Sequence, residues 1–391
     1  MSDLKIFAKT IEPEAQEQVR QMAESEAYRD CKIRIMPDCH VGKGCTVGTV
    51  IETRGKVVPN TVGVDIGCGM LVFKFAEKEI NLSLLDRIIN ESVPSGFDVH
   101  EKSRLKDMSP ITLSCLRDLH ERTQVCFDHD YIERSLGTLG GGNHFIELDE
   151  DEQGYKYLVI HSGSRNLGVK VCNYFQYLAK KNVNRNEERK RIIEDLKKYG
   201  LEREINNTLR RLGTVPPDLA YLEGEDLNAY NFAANVCQHF ADDNRWSIAM
   251  TIIRGLQLSF VDFFTTRHNY FDIHSGIIRK GAVNAKKGRP LIIPLNMRDG
   301  SLLCTGKGND DWLQSAPHGA GRLMSCSAAK KQLSMDEYRQ QMHDIYSTSV
   351  CESTIDEAPM AYKSAEEIEA LIGDTVNIVK RIKPIYNFKA K

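Results

Sequence analysis

Short β-rich runs broken by glycine and proline occupy residues 33–75 and 271–309, and a long charged helical stretch lies between them. No Pro/Ser/Gly linker or low-complexity tract separates these regions. A chain without a tether must pack its sheets and helices as one unit, and any site is then drawn from many loops. The strand-like runs are Ile33–Met36, Val47–Glu52, Lys56–Val58 and Leu71–Phe73; after a glycine turn at 137–142 come Phe145–Leu148 and Tyr157–His161. Residues 76–130 read as helical, with Leu82, Leu84, Leu85, Ile88 and Ile89 on one face. Helical pattern returns from Val169 to about Gly213 and from about Leu227 to Phe264, and further helices are expected at 335–347 and 364–381. The charge run Glu187–Arg191 reads as a solvated helix face rather than a nucleic-acid contact.

The 391 residues carry 52 Lys+Arg against 54 Asp+Glu, a formal charge of −2, so any basic surface must be local. With 41% hydrophobic and 27% charged residues the chain is neither disordered nor collagen-like, and it is no charge-driven nucleic-acid tail. No apolar run approaches the roughly eighteen residues of a membrane span. The start Met1-Ser-Asp-Leu-Lys-Ile-Phe7 lacks the apolar core of a secretory signal, so a cytoplasmic protein is expected. Eleven cysteines, an odd number without any Cys-x-x-Cys pair, read mostly as small buried apolar residues rather than a disulfide framework.

Several glycine-rich segments could approach phosphate. Gly42-Lys43-Gly44 hints at a P-loop, but Pro37 stands where that motif needs glycine; Gly306-Lys307-Gly308 lacks the following Ser or Thr. Gly137-Thr-Leu-Gly-Gly-Gly-Asn-His144 is either a tight turn or a place where backbone N–H groups meet a phosphate. In Asp65-Ile-Gly-Cys68-Gly69, a carboxylate and a thiol three apart can point into one cavity. With His144, His161 and His268, each beside small or polar residues, they suffice to hold one or two transition metals; softness alone would suggest zinc. His318, in Pro317-His-Gly-Ala-Gly-Arg322, is either a nucleophile open to substrate or a turn histidine capping a helix, and Arg322 could grip a phosphate. The pentapeptide His161-Ser-Gly-Ser-Arg165 places imidazole and guanidinium at the same spacing.

Met36-Pro-Asp-Cys-His-Val-Gly-Lys-Gly44, Gly63-Val-Asp-Ile-Gly-Cys-Gly-Met70, Leu136-Gly-Thr-Leu-Gly-Gly-Gly-Asn-His-Phe-Ile-Glu147, His161-Ser-Gly-Ser-Arg165, Arg279-Lys-Gly-Ala282, His318-Gly-Ala-Gly-Arg322 and Asp356-Glu-Ala-Pro-Met-Ala-Tyr-Lys363 together resemble the RtcB family. The resemblance runs from about residue 30 to the carboxyl terminus. It implies an α+β fold: a single large domain over 1–391, with mixed β-sheets around a central metal and nucleotide cleft, peripheral helices, and an insertion-like helical region at about 169–264. It implies an RNA ligase that uses GTP and two manganese ions to join a 3′-phosphate or 2′,3′-cyclic phosphate end to a 5′-hydroxyl. By similarity Asp65, Cys68, His144, His161 and His268 hold the metals, with Cys68 shared. His318 attacks the α-phosphate of GTP, and the GMP it carries passes to the RNA as a 3′-ppG end. Asn143, Gly319 and Gly321 fall at nucleotide-binding positions, Glu147 and Lys389 at the guanine, and Arg165 at an RNA phosphate. RNA with such ends is the implied partner, an archease-like protein the implied activator, and RNA repair and tRNA splicing the processes served.

Two departures stand out. Where the family commonly has His-His-Asn, this chain has Arg267-His268-Asn269. A phosphate loop typically reading Ile-Pro-Gly-Ser-Met-Gly is here Ile293-Pro-Leu-Asn-Met-Arg-Asp-Gly300, which marks a divergent branch, one read as devoted to RNA repair. Arg298 either takes over the lost phosphate contacts or is a turn arginine balanced by Asp299. Two rival functions remain at this point: an RNA-binding factor with altered catalysis, and a metal-dependent phosphoesterase of cyclic phosphate ends.

Overall fold

The computed structural model describes residues 2–183, 186–212 and 215–390. Its larger sheet has seven strands, all neighbours antiparallel: β11 (Pro290–Asn296), β12 (Gly300–Gly306), β14 (Val376–Lys389), β5 (Phe145–Glu150), β6 (Lys156–Ser162), β4 (Gly69–Phe75) and β7 (Phe260–Arg267), in that order. Side chains alternate across a strand, and along β4, β5 and β6 both faces are covered. Leu71, Phe73, Ile146, Leu148, Leu158 and Ile160 pack on one side with Leu85 and Ile89 of the helix Leu82–Ser92 and Ile248 and Ile252 of the helix Gly224–Leu256. Met70, Val72, Phe145, Tyr157 and Val159 face the other way, onto Ile292, Leu303 and Ile382. Double-sided burial is why β4 and β6 read as nearly continuous apolar runs.

The smaller sheet is mixed. Its five strands run β1 (Asp3–Ile6), β2 (Lys32–His40), β3 (Val47–Glu52), β9 (Ile277–Lys280) and β8 (Asn269–Asp272), with β1 parallel to β2 and the rest antiparallel. Ile33, Ile35, Ile51 and Ile278 join a core with Val171 and Phe175 of the helix Arg165–Asn182 and Tyr230, Cys237 and Phe240 of Gly224–Leu256. A two-stranded ladder, β10 (Ala282–Asn284) with β13 (Ser315–Pro317), brings His318 beside this sheet. The architecture is α+β, as expected. No helix among the described residues is long and apolar enough to cross a membrane. All eleven cysteines are free, and seven of them, including Cys68, are buried.

Four local expectations are corrected. The helical block expected to reach Phe264 stops at Leu256, where Gln257 turns left-handed (φ 55); the aromatic and β-branched Phe260–Arg267 then pairs with β4. The helix expected over 364–381 ends at Ile372, and Val376, Ile378 and Val379 begin β14 instead. The helix expected at 335–347 is only Met335–Gln341. Lys56–Val58 forms no strand, only a bridge from Val57 to Leu222, because Pro59 starts a helix immediately after it. In the charge run, Glu188, Lys190 and Arg191 are exposed; the Glu187 side chain and Gly213 lie outside the described residues.

Candidate active site

Three strand ends and two turns converge on one cluster. Asp65 and Cys68 lie in the turn before β4, His144 in the turn before β5, His161 on β6, and His268 between β7 and β8. Register does much of the placing. Met70 pairs with His161, Phe145 pairs with His161, and the His268 amide donates to the Cys68 carbonyl at 2.9 Å. A side chain at Gly163 would put its Cβ 2.0 Å from Asp65 Oδ1, so this position needs glycine for the carboxylate to enter.

Cys68 Sγ lies 3.4 Å from His144 Nε2 and 3.2 Å from His161 Nε2. His161 Nε2 is 3.2 Å from His268 Nε2, and His144 Nε2 is 2.9 Å from Asp65 Oδ2. Two overlapping groups result, Asp65–Cys68–His144 and Cys68–His161–His268, with ligand atoms in each within 4.8 Å and Cys68 common to both.

The donor chemistry fits cations. Nδ1 of His144 meets the Leu139 carbonyl at 2.9 Å, and Nδ1 of His161 meets the Asn143 carbonyl at 3.1 Å. A carbonyl only accepts, so each ring carries its proton on Nδ1 and turns the Nε2 lone pair inward. Burial, reinforced by neighbouring positive groups, holds the His161 and His268 imidazoles well below their usual range, in the neutral ligating form. Burial and then the Asp65 charge push the Cys68 thiol well up, so a thiolate there requires a cation to balance it.

His318 follows β13, and its ring centroid is 4.8 Å from that of His268. Its Nδ1 sits 2.7 Å from Asp38 Oδ2, and its main-chain N–H donates to the same oxygen at 3.1 Å. Asp38 is fully buried. A carboxylate accepting from Nδ1–H leaves Nε2 as the open, nucleophilic nitrogen.

Asp65, Cys68, His161 and His268 line one cavity of about 360 Å³ together with His318, within the range of small-ligand sites; His144 is not on its wall. Asn143, Gly319 and Gly321 share its wall, as do Glu147 and Lys389 on paired strands β5 and β14. Asn387, opposite Glu147, donates to Glu147 Oε2 at 2.6 Å. Burial pushes the Glu147 carboxyl upward. Lys389 Nζ is held by Glu357 Oε2 at 2.6 Å; Tyr362 OH donates to the same oxygen at 2.7 Å, and Arg322 Nη1 to Oε1 at 2.9 Å.

Some expected residues stand elsewhere. Arg165 has an unusual left-handed backbone (φ 56), and its guanidinium donates to Thr138 Oγ1 at 3.1 Å and the Gly96 carbonyl at 3.0 Å. It joins the glycine turn to a neighbouring loop and is not on the cavity wall. Arg298 forks onto both carboxylate oxygens of Asp299, at 2.8 and 2.9 Å, and also meets Gln341. The Asp299-balanced reading of Arg298 is therefore the one the fold adopts.

Three residues at the site went unread in the sequence. Asp38 lies within the Met36–Gly44 motif, but nothing local links it to His318, 280 positions away. Buried Asn244 accepts from the Gly137 and Thr138 amides and donates to the Thr138 carbonyl, Ser162 Oγ and the Gly163 carbonyl, sewing the His144 turn to the His161 strand. Arg245 beside it donates to the Gly67 and Ser162 carbonyls at 2.9 and 2.7 Å. A polar pair on the buried face of the helix Gly224–Leu256 was the available signal.

The sequence model of the family described as tRNA-splicing ligase RtcB matches residues 18–390. The RNA-splicing ligase RtcB of Escherichia coli (strain K12) is 33% identical over 386 residues, spanning 90% of this chain and 88% of that protein. RNA-splicing ligase RtcB1 of Escherichia coli (strain ATCC 25922) is 32% identical over the same shares of the two chains. The tRNA-splicing ligase RtcB of Archaeoglobus fulgidus is 27% identical, spanning 96% of this chain and 91% of that protein. Because the family match takes in every motif on the cavity wall, the chain belongs to the RtcB family.

Proposed function

We propose that this protein is an RNA ligase that joins a 3′-phosphate or 2′,3′-cyclic phosphate end to a 5′-hydroxyl, using GTP through a histidine–GMP intermediate. The observation that carries the reading is His318, its Nδ1 2.7 Å from Asp38 and its ring 4.8 Å from that of His268, on the wall of the cavity that Glu147 also lines. The Nε2 lone pair attacks the α-phosphate; the N–P bond forms as the bond to the β-phosphate breaks, and pyrophosphate leaves with the electron pair. Asp38 keeps the proton of the resulting phosphoramidate on Nδ1 and offsets its charge. GMP then passes to the RNA 3′-phosphate, and the 5′-hydroxyl displaces it.

Asp65, Cys68, His144, His161 and His268 would hold two cations, which the family resemblance identifies as manganese. Bound there, a divalent pair withdraws charge from the phosphates and orients in-line displacement. Glu147, steadied by Asn387, is suited to accept from the guanine N1–H and 2-amino groups. Asn143, Gly319 and Gly321, on the same wall, would meet the phosphates. Lys389, held by Glu357, would stand near the base. Arg165 would reach an RNA phosphate only with donors left over from Thr138 and Gly96.

The direct test supplies RNA bearing a 3′-phosphate and a 5′-hydroxyl, with manganese and either GTP or ATP. Sealed product with GTP alone supports the reading. Opening of cyclic ends without joining would replace the ligase with a phosphoesterase.

A further inference from the structure

The cavity wall contains four Lys and Arg side chains, Lys43, Lys280, Arg322 and Lys389, and three of them are already engaged. Lys280 Nζ donates to the carbonyls of Lys43, Cys45 (3.2 Å) and Asn60 (3.0 Å). Arg322 is taken up by Glu357, Tyr362 and the carbonyls of Met324 and Asp356, and Lys389 by Glu357. The 293–300 loop offers little more. Asn296 closes its own turn through the Arg298 and Asp299 amides and Asp299 Oδ2, and Arg298 is forked on Asp299. Lys43 is the remaining cation of the wall: its side chain is exposed, and its ammonium has no partner among the described residues.

The turn that carries it is pinned. Gln18 clamps Gly42 from both sides, donating to its carbonyl at 2.8 Å and accepting from its amide at 3.1 Å. The Lys280 ammonium ties down the carbonyl of Lys43 itself. Gly44 has φ +80, and a Cβ there would lie 2.5 Å from Asn60 Cβ, so the tight turn needs glycine. Lys280, whose ammonium holds the turn, lies in the segment that leads through Gly281 to within 3.1 Å of His318 Cε1, counted from the Cβ that glycine lacks. Glu147, Glu357 and Lys389 group around other strands. Lys43 thus shares with His318 and Glu147 the wall of the cavity that would hold the nucleotide, and it is the cation there left open to the outer phosphates.

We propose that Lys43 holds the β- and γ-phosphates of GTP and accompanies the departing pyrophosphate. This deepens the ligase reading and rests on it. While His318 Nε2 bonds to the α-phosphorus, the bond to the bridging oxygen breaks and its electron pair stays on pyrophosphate, where the ammonium meets the new charge.

The test compares two half-reactions in the full-length chain with manganese. Lys43→Ala should slow labelling of the protein by GTP about 10- to 100-fold, the loss of one charge-assisted hydrogen bond, and should raise the GTP needed. Lys43→Arg should recover most of the rate. Inorganic pyrophosphate, added to chain already carrying GMP, should regenerate GTP more slowly in Lys43→Ala. Sealing of RNA that already bears a 3′-ppG cap should stay within about twofold of wild type, since no pyrophosphate remains to be held. Equal loss in both half-reactions would place Lys43 on the RNA phosphate or in the scaffold, and no loss in either would leave it a surface lysine; both overturn the proposal. A wild-type chain that takes no label removes the ligase reading itself, a separate outcome, and this inference falls with it.

Discussion

Asp38 Oδ2 accepts twice from one residue, from the His318 ring at 2.7 Å and from its main-chain N–H at 3.1 Å. A single buried carboxylate oxygen thus fixes the tautomer, the ring orientation and the turn of the histidine read as nucleophile.

Asp38→Ala should therefore cut GMP attachment about 100-fold or more while leaving metal binding in place. Asp38→Asn, which can keep an oxygen near the ring but lacks the charge, should fall between the variant and wild type. Single-turnover labelling with GTP measures both. Wild-type rates in Asp38→Ala would mean that the contact only shapes the turn.

Cys68→Ser should lose cation binding, because a neutral hydroxyl cannot replace a thiolate common to both ligand groups. Manganese content after gel filtration, read by elemental analysis, should fall by at least one ion per chain. Unchanged content would reject Cys68 as a shared ligand.

Glu147→Ala should erode the preference for GTP over ATP more than it slows the chemical step. A site built to accept two base N–H groups can discriminate by factors above about a thousand, and the variant forfeits that discrimination. Competition between labelled GTP and unlabelled ATP reads the ratio. Full selectivity in the variant would make Glu147 a structural partner of Asn387.

Arg298→Ala should leave both guanylylation and sealing near wild type, because its guanidinium is forked on Asp299 and lies off the cavity wall. Its salt bridge is half-exposed, so the stability change should stay within about 1 kcal/mol. Impaired guanylylation would show that the ion pair opens onto GTP.

Local pattern was legible where burial follows chain periodicity. Leu85 and Ile89 do form the buried stripe of their helix, and β3 spans Val47–Glu52 as expected. Expectation failed where two periodic signals abut: at Phe260–Phe264 only Gln257-Leu-Ser259 divides helix from strand, and before Val376 the Gly373-Asp374 turn marks the break that the helical pattern was carried across. Within the site, Asp65, Cys68 and the three histidines stood out by residue type and glycine context. Asp38, Asn244 and Arg245 did not, since their work consists of hydrogen bonds to distant loops that no local pattern encodes. The two fates of Arg298 were separable only once Asp299 and Gln341 were seen to hold it.

In the proposed reaction GMP is bonded covalently to His318. Wild-type chain incubated with GTP and manganese, then denatured, should carry the mass of one GMP in an acid-labile adduct that maps by peptide sequencing to His318. His318→Ala, folded and still binding manganese, should carry none. An adduct that persists on His318→Ala, or its absence from fully metal-loaded wild type, would contradict the account.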